Sequence, residues 1–224
     1  TDSVSMEESL VKRAVKSVAQ GAGIRAVAGE RTGFAYSDDL SVRDLEQAAE
    51  TARYIAESPQ GDNPVAVTHK EGPSQNLYPL SQPLTDITTE ARVDLLNQID
   101  VEARAYDKRI AKVMASFNTE QKIFLVMNSD GQMVGDVQPL ARLQVTCIAE
   151  DGANRQVGSY GGGGRVGFSF FVENDRALEF AREAARQAIV NLDAVDAPAG
   201  AMPVVLGGGW PGILLHEAVG HGLE

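Results

Sequence analysis

Stretches of alternating apolar residues and stretches of helically spaced ones follow one another along this chain, and they lay out its elements. Residues 10–21 read as a strand, with Val11, Val15 and Val18 set among polar neighbours. Two further strands, 23–28 and 33–36, flank a turn at 29–32. Ser41 then caps a helix that runs to about residue 57. Val42, Leu45, Ala48, Ala49, Ala52 and Ile55 recur on one of its faces, and Pro59 follows its end. Five of the nine prolines fall between Pro59 and Pro83, so 60–86 reads as a surface connection, with room for a short strand at 65–67. A second long helix starts at Thr88 or Thr89 and ends at Tyr106, with Val93, Leu96, Ile99 and Ala103 inward.

A β-meander comes next. Strands at 110–118, 121–127 and 133–150 are joined by turns at 118–120 and 128–131, the latter carrying an Asp-Gly pair suited to a hairpin. Residues 151–154 lead into a strand at 155–160, and the glycine run Gly161 to Gly164 then opens toward 166–171. Asp175 caps a third helix through Asn191, and Ala177, Phe180, Ala181, Ala184, Ala188 and Ile189 face the core. A strand at 202–206 leads into a last helix at 211–223. The pattern predicts an α+β protein. An N-terminal domain over 1–196 has a mixed or antiparallel sheet with long helices, and 197–224 begins a C-terminal domain.

Composition narrows the function classes. Acidic residues number 31 and basic ones 20, a net charge of −11, which argues against broad attraction to nucleic acid phosphates. A single cysteine makes no intrachain disulfide, so a reducing, cytoplasmic setting suits the chain. Cys147, in the apolar run 143–148, reads as a small buried hydrophobe. No apolar run has the length to span a bilayer. The start, Thr1-Asp2-Ser3-Val4-Ser5, is no signal peptide and lacks an initiator methionine, so both ends read as cut.

The chemistry concentrates in His216-Glu217-Ala218-Val219-Gly220-His221. Imidazoles at a short fixed spacing suit zinc, and an adjacent carboxylate suits activation of water. The usual H-E-x-x-H places its histidines four apart on one helical face. Five apart, they diverge by about 140° on an ideal helix, against about 40° for four. One extra residue in the turn, a π-bulge, returns both to one side. Gly220 lies inside that turn, and an interior glycine suits a distortion. The plainer alternative is an exposed helix with two incidental histidines. Elsewhere, His69 beside Lys70 reads as a solvated surface histidine. Gly161 to Gly164 lack the lysine and hydroxyl of a P-loop, so they read as a flexible connection or a close approach to a peptide. Gly207-Gly208-Gly209 read as room for helix packing.

The residues around this motif carry a resemblance. The segment from Met202 to Glu224, with Gly207-Gly208-Gly209-Trp210-Pro211-Gly212 before the histidines, resembles the active-site segment of the TldD/PmbA metallopeptidases. It resembles the TldD branch, since the PmbA (TldE) branch lacks the H-E-x-x-x-H. Gly21-Ala22-Gly23-Ile24-Arg25-Ala26-Val27 with Thr32-Gly33-Phe34-Ala35-Tyr36, Gly161 to Gly164 with Arg165, and Asn191-Leu192 leading to Pro198-Ala199-Gly200-Ala201-Met202-Pro203 resemble further family blocks. The likeness covers most of the chain, and about half of a full member of on the order of 450–500 residues.

The resemblance implies zinc as cofactor, His216 and His221 as its ligands and Glu217 as the catalytic glutamate. It implies a third protein ligand, a cysteine, far downstream in a C-terminal catalytic domain of which 197–224 is the truncated start. Cys147 does not match that position. It further implies unfolded or extended peptides as substrates and a PmbA/TldE-type subunit or a second copy as partner, with no direct nucleic acid or membrane contact. The family has also been named for modulation of DNA gyrase. Without the third ligand these residues alone should bind zinc weakly and cleave nothing. The competing reading is a non-catalytic binding or scaffold piece with weak or no metal binding.

Overall fold

The structure is a computed structural model, and it describes residues 1–56 and 77–223. It divides into two units, Thr1–Asp193 and Ala194–Glu224. The first unit is α+β. Its elements in chain order are β1 (Asp2–Glu7), β2 (Leu10–Lys16), β3 (Ala22–Ala28), β4 (Arg31–Ser37), α1 (Val42–Ile55), α2 (Thr89–Tyr106), β5 (Ile110–Met127), β6 (Met133–Asp151), β7 (Asn154–Gly164), α3 (Ser169–Val172) and α4 (Arg176–Leu192). Five strands form an antiparallel sheet in the order β2-β1-β5-β6-β7, and β3 and β4 form a separate hairpin.

Strict alternation sets which face of the larger sheet is covered. Val4 and Met6 of β1, Val113, Ala115 and Phe117 of β5, and Leu143, Val145 and Cys147 of β6 are buried together with Leu96 and Ile99 of α2 and the inner face of α4. That face of α4 is almost all alanine: Ala177, Ala181, Ala184, Ala185 and Ala188. Small side chains bring the helix close to the sheet, and Gly158 of β7 accepts its backbone there. A Cβ at Gly158 would lie 2.2 Å from both the Ala184 carbonyl oxygen and the Ala188 nitrogen. The β3–β4 hairpin repeats the arrangement with α1. Ala35, Ala48 and Ala52 form a second small core, and a Cβ at Gly33 would lie 1.9 Å from the Ala52 oxygen.

Local chemistry places the element ends. The Ser41 and Thr88 side chains accept from the backbone N–H groups of Asp44 and Ala91, capping α1 and α2 as their sequences predict. Glu8 and Ser9, both at positive φ, close the β1–β2 hairpin, and the Ser9 hydroxyl donates to Asp100 at 2.7 Å. The buried Arg92 of α2 donates to Asp2 at 3.3 Å, to the Leu84 carbonyl at 3.0 Å and to Thr119 at 3.4 Å. One guanidinium thus ties the first strand, the turn Leu84–Asp86 and the middle of β5.

Several elements differ from the sequence pattern. Asp2–Glu7 is a strand where the pattern shows only a chain start, and the strand expected at 10–21 ends at Lys16. The turn expected at 118–120 does not exist. β5 runs unbroken through it because Thr119 is buried beneath Arg92 and Asn118 pairs with Ser3 of β1. The run Gly161 to Gly164 is ordered strand paired with 141–144 of β6, not a loose connection. A Cβ at Gly161 would meet the Leu143 oxygen at 2.4 Å, and Gly163 has φ +154. Residues 169–172 form a short helix. Asp175 precedes α4 but caps nothing with its side chain, because it sits in the left-handed region at φ 55. α1 ends at Ile55 with its cap at Ala56, a little short of the expected end near residue 57, and Pro59, the strand at 65–67 and His69 lie outside the described residues.

Candidate metal centre

In the second unit, the strand expected at 202–206 is absent. Val204 and Val205 are strand-like in composition and Pro203 offers no N–H, but a strand needs a partner, and among the described residues none pairs here. The segment is exposed. A turn at 208–210 then leads into α5 (Pro211–Leu215), with proline at the first helical position, where its missing N–H costs nothing.

The helix changes pitch at the motif. His216–Gly220 is a π turn, and the His221 N–H donates to the His216 carbonyl at 3.2 Å, a step of five residues. This is the turn that the five-residue spacing requires. The imidazole centroids stand 4.5 Å apart with the rings inclined by 61°. Glu217 Oε2 lies 3.6 Å from His221 Nε2. One ligand atom from each of His216, Glu217 and His221 falls within 4.8 Å of the others, and all three side chains are exposed. Gly220 has a reason that spacing alone does not show. A Cβ there would lie 3.2 Å from His216 Nδ1, so glycine leaves that ring room to turn toward His221.

Two nitrogens and a carboxylate oxygen converging at a solvent-facing point form a donor set that suits zinc with positions left open. The residues present therefore fit the metal that the resemblance implies. Cys147 takes no part. It is fully buried in β6, and burial pushes its thiol up to about 12, so it stays protonated where a zinc ligand must be thiolate. Cys147→Ser is expected to leave zinc content unchanged by elemental analysis, and a clear loss of metal would overturn this placement.

Residues 1–56 match the family model described as PmbA/TldA metallopeptidase domain 1, and 82–192 match the PmbA/TldA metallopeptidase central domain. A metalloprotease TldD homolog of Haemophilus influenzae is 44% identical over 233 residues, covering 98% of this chain and 46% of the relative. A metalloprotease TldD homolog of Buchnera aphidicola (subsp. Schizaphis graminum) is 36% identical over 229 residues, covering 100% and 47%. The chain therefore spans about half the length of the curated relatives it matches. Among solved structures, TldE from Thermococcus kodakarensis shares the fold at a TM-score of 0.61 and 18% identity, over 84% of this chain and 41% of that one. A Thermotoga maritima protein solved as a candidate modulator of a DNA gyrase aligns at 0.67 and 18%, over 89% and 44%.

Proposed function

This chain belongs to the PmbA/TldA metallopeptidase family, and from that premise we propose that its residues 211–223 carry the metal ligands and the base of a zinc-dependent peptidase. The observation that carries the reading is the π turn, which brings His216, Glu217 and His221 within 4.8 Å where a regular helix would separate the imidazoles. His216 and His221 would hold the metal through ring nitrogens. When bound, zinc supplies Lewis acidity toward a scissile carbonyl and toward a water. Glu217 would take a proton from the attacking water on its carboxylate and pass it to the departing amine. Unfolded or extended peptides are the proposed substrates. A third protein ligand is proposed to come from sequence outside these 224 residues, because Cys147 is committed to the sheet core. The proposed assembly is with a TldE-type subunit or a second copy, supported by the shared fold with TldE. A cytoplasmic setting belongs to the same proposal. Among the described residues no helix is long and apolar enough to cross a membrane.

The test reads metal and turnover separately. The 224-residue chain is expected to bind zinc weakly, and His216→Ala or His221→Ala is expected to remove that binding in titration calorimetry. The same chain with added zinc is expected to show no measurable cleavage of an unfolded peptide. Unchanged zinc affinity in both histidine variants would favour the scaffold reading. Chelator-sensitive cleavage that depends on Glu217 would show that these residues suffice alone.

A further inference from the structure

Gly220 weakens the helix it belongs to. It closes the π turn His216–Gly220, and glycine is the poorest helix former after proline because its backbone has the most freedom to lose. Its own conformation does not call for glycine. Gly220 is not among the glycines at positive φ, so alanine can follow the same backbone without strain. What sets it apart is the space beside it. Beyond the helix's own backbone, the three nearest atoms that a Cβ there would meet all belong to His216: Nδ1 at 3.2 Å, Cγ at 3.6 Å and Cβ at 3.9 Å. A Cβ at 220 would lean back along the helix toward residue 216, and the His216 ring, 4.5 Å from that of His221, takes up that space. Gly212 in α5 makes the contrast. It also lacks a positive φ, and a Cβ there would meet nothing within 4 Å. Both glycines weaken the helix, and Gly220 alone of the two touches a candidate ligand.

We infer that Gly220 is a positioning residue: by leaving its side-chain space to the His216 ring it keeps the two imidazoles convergent, and so sets how tightly the motif would hold zinc, at the expense of helix stability. With alanine at 220, a contact at 3.2 Å makes the neighbour give by a few tenths of an ångström. Either the His216 ring swings or the π turn opens. Both change the separation of the ring nitrogens, and a metal site depends on ligands held to within about 0.5 Å. The effect on affinity rests on the metal reading above, whereas the ring contact rests on geometry alone.

One substitution in the 224-residue chain is expected to move two readouts in opposite directions. Gly220→Ala is expected to raise the helical Cα chemical shifts over 211–223, since alanine is the better helix former. It is also expected to weaken zinc by about tenfold or more in competition with a chromophoric chelator, the size of effect that contacts to a ligating histidine carry. Gly212→Ala is expected to raise helicity in the same way and to bind zinc no more weakly than the wild type. A merely structural role for Gly220 would instead make affinity follow helicity in both variants. The ring contact is read without metal. A nuclear Overhauser effect between the His216 and His221 rings is expected in the wild type and in Gly212→Ala, and is expected to fade in Gly220→Ala. A wild type without that contact, a contact unchanged in Gly220→Ala, or a Gly220→Ala chain that binds zinc as tightly as the wild type would overturn the inference. A wild type that shows the ring contact and binds no zinc would overturn the metal reading and, with it, the role of Gly220 in affinity.

Discussion

Glu217→Gln, made in the chain extended to the length of its relatives, is expected to keep zinc and lose about 10²–10⁴-fold in peptide turnover. The amide has nearly the shape of the carboxylate, so the π turn and the approach to His221 Nε2 should survive the change. What it cannot do is accept a proton from water at neutral pH and hand it on. The two readouts separate roles that lie one residue apart. Zinc retained with turnover lost assigns Glu217 as base. Zinc lost in parallel would reassign it as a ligand, which its position within 4.8 Å of both imidazoles also allows. Near-normal turnover on an unfolded peptide would remove Glu217 from the chemistry altogether. Zinc content by elemental analysis and initial rates on one peptide decide among the three.

Gly158→Ala is expected to cost about 3 kcal/mol of folding stability, at the upper end of what an added methylene does in a packed core. The cause is collision and not backbone conformation, since Gly158 does not occupy the left-handed region. The new methyl would lie 2.2 Å from two backbone atoms of α4, and a helix backbone has no rotamer with which to yield. The helix would have to lift, opening the alanine-lined contact along its whole inner face. A loss of this size corresponds to roughly 6–12 °C in thermal midpoint for a unit of this length. Gly167→Ala serves as the control, because its methyl would meet only the end of Leu80 at 3.5 Å. Circular dichroism melts of the two variants beside the wild type give the answer. Equal midpoints would mean that α4 sits further from the sheet than these distances state.

The elements that sequence pattern placed well are those whose signals are local. Ser41 and Thr88 cap the helices they precede because a hydroxyl and an N–H two or three residues on need nothing from the rest of the fold. The turn at Gly131, at φ 81, follows from its own backbone freedom. The π turn belongs here too. A step of five from His216 to His221, with Gly220 inside it, already implies an extra residue in the helix turn if both rings are to serve one ion. Where the pattern misled, the deciding partner was far along the chain. Asn118-Thr119-Glu120 reads as a turn until Arg92 and β1 arrive on either side of Thr119. Gly161 to Gly164 read as loose until pairing with β6 orders them, and β6 together with the Phe180 ring, 3.0 Å from where a Cβ at Gly162 would stand, leaves side chains little room at Gly161, Gly162 and Gly163. Residues 202–206 have strand composition and, among the described residues, no strand to pair with. By itself, then, the sequence determined the three long helices, the caps of the first two, the residue types of the metal motif and the pitch its spacing demands, because propensity, capping and periodicity act over a few residues. Only the tertiary structure decided which strands pair and which glycines are obligatory, because backbone hydrogen bonds in a sheet and close helix–sheet contacts depend on neighbours that no local window contains.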